Sequence, residues 1–304
     1  MVLGQEKRVL SARTRTKHFR MKNRHTKVNR SVGGSVFIFS LLMLLGIFMA
    51  LPLYLSIINA LKPLNELFLF PPRFYVLNPT LSNLSDLFAM MGNSTVPFSR
   101  YIFNTVFITV VGIVGQIMIS SMCAYPLAKH KFPGREQFFS LIVTSLMFSS
   151  TVTAIPSYLI MSKLGWLDTY QAIIVPVLGN TLGLYLIKQF MEQIPDSLLE
   201  AAKIDGANEW LIYWKIVMPQ IKPAWLTLIV FSTQSLWSMG ANNMIYSEKY
   251  KTFAYALGQI AAGGVARTGV AAAISVVMML VPIVVFVVTQ SKVIETMVSS
   301  GMKD

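Results

Sequence analysis

The stretch EAAKIDGANEWLIYWKIVMPQIKP, which begins at residue 200, contains residue types that could do chemistry. Five carboxylates lie around it in a chain whose net charge is +13: Glu192, Asp196, Glu200, Asp205 and Glu209. Paired carboxylates can act as general acid and base, but on a water-exposed segment they are solvated by default. Because an acidic segment is repelled by anionic lipid, we predict that it faces a basic partner protein.

The local pattern predicts a short helix, a turn and a second segment. Ser197 and Glu200 have the spacing of a capping box, in which the serine caps the helix and the glutamate reaches back. The first helix is expected from residue 198 to about 205, with Gly206 ending it. A segment rich in Trp and Tyr then runs over 208–218. A simpler interpretation stays open, in which Glu200 only caps its own helix and the loop is a solvated elbow.

Other catalytic patterns are missing from the sequence. There is no Gly-Lys dipeptide, so there is no phosphate-binding P-loop. The three histidines, His18, His25 and His130, lie in basic segments and form no H-E-x-x-H zinc-binding pair. We therefore expect a chain that is not an enzyme and has neither a catalytic site nor a metal site.

The elements that must position the acidic stretch are apolar runs long enough to cross a bilayer. Hydrophobic residues make up 54% of the 304 residues and charged residues 13%, and the mean hydropathy is +0.57. We predict an all-α, polytopic membrane protein in which residues 34–291 form six transmembrane helices. The expected spans are about 34–58, 101–126, 138–158, 170–190, 224–245 and 269–291.

The distribution of positive charge predicts the orientation of these spans. Nineteen Lys and Arg fall in the two tails and the loops on their side, and seven fall in the remaining loops. By the positive-inside rule, the basic tail 1–33, the loop 192–223 and the tail 292–304 face the cytoplasm of a prokaryotic cell. The tail RTRTKHFRMKNRHTKVNR is expected to rest on anionic lipid rather than to bind nucleic acid.

The spacing of the acidic stretch resembles the EAA loop of the permeases of binding-protein-dependent ABC importers. The match consists of Glu-Ala-Ala, three residues, Gly, nine residues, Ile, two residues and Pro. Met218 stands where that family usually has leucine. The six matching positions are Glu200, Ala201, Ala202, Gly206, Ile216 and Pro219.

The resemblance extends over about residues 50–304. The segments KPLNELFLFPPRFYVLNPTLSNLSDLF and AYPLAKHKFPGRE are similar to those of the carbohydrate-uptake branch. It implies the type I importer permease fold, with the short helix as a coupling helix seated in a cleft of the ATP-hydrolysing subunit. Glu200 would pair with a basic residue of that subunit, and Asp205 would lie beside it. Ala201, Ala202 and Gly206 would pack closely against the subunit, and Pro219 would stiffen the elbow.

The resemblance also implies partners and cofactors. These are an ABC ATPase dimer that uses ATP and Mg, a second permease that is more often a related chain than a copy, an extracytoplasmic solute-binding protein and its sugar. The chain itself would bind no cofactor.

Polar and aromatic residues within the spans are the expected contacts of a sugar on its path. For each of them an interhelical hydrogen bond is the competing interpretation. The segment LWSMGANNMIY departs from the family pattern, which leaves the particular sugar open. The candidates are Asn104, Gln116, Ser145, Asn180, Gln234, Trp237, Asn242 and Asn243.

Two alternatives remain at this point. The first is an importer permease for another solute, such as a polyamine, an amino acid or a phosphonate. The second is a stand-alone secondary transporter or channel, which is disfavoured because ion-coupled transport normally needs an ionisable group deep in a span, and the expected spans have none.

Overall fold

The computed structural model describes residues 32–92, 96–240 and 242–301. This part of the chain contains helices and no strand, which confirms the all-α prediction. The predicted tail 1–33 lies outside the described residues except for its last two. The chain divides into two compact units, Met1–Leu51 and Pro52–Asp304. In the first unit the described residues form the apolar start of helix α1, Val32–Leu61, and nearly all their side chains are exposed.

Four described helical segments are long and apolar enough to cross a membrane. They are Gly33–Leu61, Phe98–Lys129, Tyr170–Glu192 and Val265–Val293. A fifth is possible if Glu209–Gln220 and Lys222–Trp237, which meet at 72°, count as one bent span. Length and composition therefore support four or five of the six expected spans.

The expected span 138–158 is divided between two shorter helices. Helix α5 is Arg135–Ser145 and helix α6 is Ser150–Lys163. The Ser149 side chain accepts a hydrogen bond from the Thr151 backbone N–H and so caps α6. This cap supplies an acceptor for a helix-end N–H, so the chain can interrupt the helix inside an apolar run.

The expected span 224–245 also differs, because its helix α12, Lys222–Trp237, ends well before residue 245. The described residues between this helix and the short 3₁₀ turn Glu248–Tyr250 form a loop. The sequence Gly-Ala-Asn-Asn favours this loop, since Asn side chains bond to nearby backbone. The Asn242 carboxamide oxygen indeed accepts from the Met244 N–H at 2.9 Å.

Helix α4, Phe98–Lys129, is the central element of the second unit. It packs against α7 (Tyr170–Leu178), α8 (Thr181–Glu192) and α12. Close packing depends on small residues, because a Cβ at Gly115 would lie 2.3 Å from the Leu178 Cδ2. Small residues that let helix backbones approach are typical of helix packing in membranes.

Apart from the helices of the loop 192–223, the remaining helices lie on the connections between spans or at the end of the described part. The connection after α1 contains α2 (Leu64–Leu67) and α3 (Ser82–Gly92). The connection after α12 contains α13 (Phe253–Ala261) and a 3₁₀ turn, Val265–Arg267. Helix α14, Thr268–Gly301, closes the described part and packs against α12.

Candidate functional site

The acidic stretch forms a helix, α9, at Asp196–Ile204, and Asp205 is its C-cap. Gly206 follows with a φ of +83°, a conformation that glycine adopts without strain. The predicted helix end is confirmed. The capping box is wrong, because Pro195 occupies the N-cap position and no side chain caps the helix. Pro195 fixes its own φ and starts the helix early, so Ser197 lies inside the first turn.

One buried residue attaches α9 to the spans. Leu199 is 7% exposed and belongs to a cluster with Ile187, Met191, Ile212 and Val217. Leu199 therefore links this helix to α8 and to the segment that follows Gly206. The rest of α9 is exposed except for Ala202, which is half-buried.

The second half of the stretch is helical but irregular. The Asn208 side chain accepts from the Leu211 N–H at 2.8 Å and caps α10, Glu209–Ile212. A π-helical turn, Tyr213–Val217, leads to α11, Met218–Gln220. Of the predicted motif positions here, Ile216 is half-buried and Pro219 is exposed. Pro219 lies next to the 72° bend that starts α12.

Lys129, at the end of α4, holds the start of α9. Its ammonium group donates to the Asp196 carboxylate at 2.7 Å and to the Ile194 carbonyl. The Lys129 side chain is 5% exposed, so its charge needs these partners. The hydrogen bond from Lys129 and its positive charge lower the pKa of the Asp196 carboxyl.

Glu209 forms a second link between the acidic stretch and α4. Its carboxylate accepts from Lys203 at 2.7 Å and from the Tyr125 hydroxyl at 2.7 Å. The imidazole of His130 lies 3.7 Å from the same carboxylate. The hydrogen bonds from Lys203 and Tyr125 lower the pKa of Glu209. The stretch is therefore tied to the end of α4 at two points.

The five acids fall into two groups. Glu192, Asp196 and Glu209 are engaged within the chain, Glu192 by Lys188 at 2.7 Å and by Arg135 at 3.5 Å. Glu200 and Asp205 are exposed, and in the described part of the chain neither side chain makes a hydrogen bond or an ion pair. This arrangement leaves the Glu200 and Asp205 carboxylates open to a group outside the chain.

The residues that hold the loop in place were not predicted from the sequence. Tyr125 and Lys129 lie in the last turns of a span, and Glu209 lies just past Gly206. A signal was available for Lys129, since a lysine at the end of an apolar helix that is followed by an acidic loop has a partner within reach. No signal pointed to Tyr125.

The substrate-path candidate near the N-terminal end of α4, Asn104, makes hydrogen bonds within the protein. Asn104 is 0% exposed. Its amide donates to the carbonyls of Lys249 and Lys251, each at 2.8 Å, and its oxygen accepts from the Tyr170 hydroxyl at 2.7 Å. Asn104 therefore fixes the 3₁₀ turn against α4 and α7.

Gln116 and Trp237 also bond within the helix bundle. The Gln116 amide donates to the Val177 carbonyl at 2.9 Å, and its oxygen accepts from Ser232. The Trp237 indole donates to the Met278 carbonyl at 3.1 Å. Gln116 lines the break between α7 and α8, and Trp237 joins α12 to α14.

The other candidates are less enclosed. Asn180 caps α8 by accepting from the Gly183 N–H at 2.9 Å, Asn242 braces the loop after α12, and the Ser145 hydroxyl bonds to Ile142 and Thr181. Gln234 and Asn243 are exposed, and their side chains have no hydrogen-bond partner in the described residues. Of the candidates, these two leave both the oxygen and the NH2 group of the amide available to a ligand.

Replacing Asn104 with alanine is expected to destabilise the protein. The Lys251 carbonyl and the Tyr170 hydroxyl would each lose the side-chain partner shown for them, at about 1–3 kcal/mol for each buried group left unsatisfied. The measurement is the midpoint of thermal unfolding in detergent. Asn243→Ala, at an exposed amide, is the control and should change the free energy of unfolding by less than about 0.5 kcal/mol. Equal midpoints for the two variants would contradict this role of Asn104.

The geometry defines the class of the protein: a helical, polytopic membrane protein that displays an acidic loop helix fixed to the ends of its spans. Residues 116–299 match the family model described as the binding-protein-dependent transport system inner membrane component. The chain belongs to this family, which confirms the predicted resemblance to the permeases of binding-protein-dependent ABC importers.

Curated relatives agree with this assignment. Protein LplC of Bacillus subtilis (strain 168) is 37% identical over 179 residues, which cover 59% of this chain and 57% of that protein. The polygalacturonan/rhamnogalacturonan transport system permease protein YtcP of the same strain is 37% identical over 157 residues, 48% of this chain and 54% of that protein. The matches therefore span somewhat more than half the length of these two relatives.

A third relative is covered further. The sn-glycerol-3-phosphate transport system permease protein UgpE of Yersinia enterocolitica serotype O:8 / biotype 1B (strain NCTC 13174 / 8081) is 31% identical over 203 residues, 64% of this chain and 72% of that protein.

Solved structures share the fold. A chain of a bacterial ABC transporter involved in the import of the acidic polysaccharide alginate superposes with a TM-score of 0.70 and 25% identity, covering 86% of this chain and 98% of that one. A second alginate transporter structure, in complex with an alginate pentasaccharide-bound periplasmic protein, gives a TM-score of 0.59 at 16% identity. The predicted fold class, that of an ABC importer permease, is confirmed.

Proposed function

We propose that the chain is the transmembrane permease subunit of an ATP-driven importer that takes up a sugar or oligosaccharide. The observation that carries this proposal is the exposed face of α9, where Glu200 and Asp205 have no partner within the described chain while Leu199 and Asp196 fix the helix to the spans. Such a helix can transmit the movement of a docked protein to the membrane. ATP and Mg are then bound by the partner ATPase.

The proposed coupling surface consists of the motif residues on the exposed face of α9 and at its end. Glu200 and Asp205 supply charge for a basic group on the ATPase. Ala201, with its small exposed side chain, permits close approach, and Gly206 ends the helix without a side chain. The remaining motif positions, Ala202, Ile216 and Pro219, shape the elbow behind that surface.

The cargo class is supported by the relatives. YtcP is named for polygalacturonan and rhamnogalacturonan, UgpE for sn-glycerol-3-phosphate, and the superposed structure for alginate import. Three of these four substances are polysaccharides and the fourth is a phosphorylated polyol, whereas no polyamine or amino acid is named among them. Gln234 and Asn243 are the amides that we assign to the substrate path.

The proposed assembly contains an ATPase dimer, a second and related permease chain, and a solute-binding protein that delivers the cargo from outside. The distribution of positive charge favours the cytoplasmic side for both termini and the loop 192–223. The segments 62–97 and 238–267 then face the binding protein.

Reconstitution tests this function. The chain, its partner permease and the ATPase are co-purified and placed in liposomes with the binding protein, whose ligand is first identified by a thermal-shift screen of sugars. Uptake of that labelled sugar should require both ATP and the binding protein. Sugar flux through the purified chain alone, driven by a gradient and without any ATPase, would overturn the proposal in favour of a stand-alone transporter.

A further inference from the structure

A groove of about 340 Å³ opens at the N-terminal end of α4, where α3, α4 and α13 meet the two 3₁₀ turns. We call it the Arg267 groove. Its volume lies in the range of small-molecule sites, and the proposed orientation places it on the side from which cargo arrives. The residues that matter are Phe98, Tyr101, Glu248, Tyr255, Gln259 and Arg267.

The guanidinium of Arg267 is held in one place. Its Nη1 donates to the Ile260 carbonyl at 3.2 Å. The side chain lies across Gly263, where an added Cβ would stand 2.3 Å from the Arg267 Cδ and 2.6 Å from its Cζ. Gly263 therefore provides the space that this arginine occupies, and any other residue there would displace it.

The charge of Arg267 is not balanced within the described part of the chain. No ion pair involves it there. The groove's own carboxylate, Glu248, is engaged elsewhere: one oxygen accepts from Lys251 at 2.6 Å and the other from the Tyr101 hydroxyl at 3.0 Å. The groove therefore has a positioned cation that lacks an anion.

The other walls suit a sugar. The Tyr255 hydroxyl accepts from Lys251 at 2.7 Å, and its own hydrogen has no acceptor in the described residues. The Gln259 amide is exposed and has no partner in the same part of the chain. The half-buried Phe98 ring is fixed by an edge contact with Phe253 at 5.1 Å between centroids. Aromatic faces combined with a few placed polar groups are typical of ligand sites.

We propose that the Arg267 groove binds an acidic saccharide unit, with the carboxylate of the sugar on Arg267 and its hydroxyls on Tyr255 and Gln259. An arginine can hold a carboxylate with two parallel hydrogen bonds. The inference rests on the proposed function and narrows its cargo to oligosaccharides that contain uronic acid.

Binding of uronate trimers to the assembled, detergent-purified transporter, without the binding protein, tests this site. Trimers of galacturonate, glucuronate and mannuronate are titrated by calorimetry, and a neutral galactose trimer serves as the comparison. At least one uronate trimer should bind, and more tightly than the neutral trimer. Arg267→Gln should weaken it about tenfold or more, as should Gly263→Ala, which keeps the charge but moves it. Arg100→Gln, at another arginine outside the groove, should leave the affinity unchanged.

A carboxylate could also come from a side chain of the binding protein, and a second titration separates the two sources. The sugar-free binding protein is titrated onto the wild-type complex and onto the Arg267→Gln complex. If Arg267→Gln weakens this association while no uronate trimer binds the wild type, the partner of Arg267 is a protein carboxylate and the saccharide proposal is overturned. Unaltered association together with uronate binding supports it.

Failure of this site would be distinct from failure of the proposed function. A complex that takes up a neutral sugar with ATP and the binding protein, but binds no uronate trimer, would refute the acidic cargo alone. Loss of ATP-dependent uptake of every sugar would refute the proposed function itself.

Discussion

A chain that carries both Glu200→Gln and Gly206→Ala is expected to insert into the membrane normally and to lose sugar uptake by about two orders of magnitude. Removing one member of a buried charge pair at an interface costs about 2–5 kcal/mol, and a non-glycine residue in the left-handed region costs about 1–2 kcal/mol. Together these correspond to a hundredfold or more. Glu200 makes no bond within the described chain, so the loss would fall on the contact with the ATPase.

The readouts are uptake and ATP hydrolysis, both measured in liposomes with the complete complex. Hydrolysis should continue without transport, which is uncoupling. Ser197→Ala on the same exposed helix is the matched control, because Ser197 is outside the motif and its side chain caps nothing. Normal uptake by the double variant would show that α9 does not couple the two subunits.

Replacing Lys129 with methionine is expected to reduce uptake about tenfold or more while the ATPase still co-purifies. The substitution keeps an unbranched side chain of similar length but removes the charged donor to Asp196 and to the Ile194 carbonyl. A hydrogen bond to a charged group contributes about 1.5–3 kcal/mol, so the start of α9 should separate from the end of α4. Movement of the ATPase would then no longer reach the spans.

Lys131→Met provides the comparison for this variant. Lys131 is exposed and lies two residues further along, and it makes no ion pair in the described part of the chain. Hydrogen exchange of the amides in 196–204 should accelerate in Lys129→Met and not in Lys131→Met. If the two variants transport equally well, the link between Lys129 and α9 carries no coupling.

The sequence predicted the loop helix because its signals are local. Proline before the helix and glycine after it lie within a dozen residues, the motif spans only Glu200 to Pro219, and Gly206 has the backbone conformation expected of a helix end. The exact start was wrong for an equally local reason, since Pro195 determined it rather than Ser197.

The contacts that hold the loop could not be predicted because they are distant in sequence. Tyr125 and Glu209 are 84 residues apart, and Lys129 and Asp196 are 67 apart. A sequence shows that polar residues occur within spans, but not which backbone carbonyls they meet. Asn104 was therefore assigned to the substrate path, although its amide bonds to a turn 145 residues away.

The span count shows a similar limit. A window of apolar residues predicts that a segment can lie in a membrane, but not whether its helix is continuous. The run 138–158 met the length requirement, yet Ser149 caps a new helix within it. Four described segments are long enough to cross a membrane, and a fifth depends on counting one bent pair of helices as a single span.

We expect the exposed face of α9 to be covered by the ATPase in the working transporter. In a Cys123→Ala background, Ala201→Cys is treated with a water-soluble maleimide in the assembled complex and in the chain alone, with Lys131→Cys as a reference site. Ala201→Cys should react readily in the chain alone and at least about tenfold more slowly in the complex. Equal reaction rates in the two samples while the transporter hydrolyses ATP and takes up sugar would show that the ATPase does not cover α9.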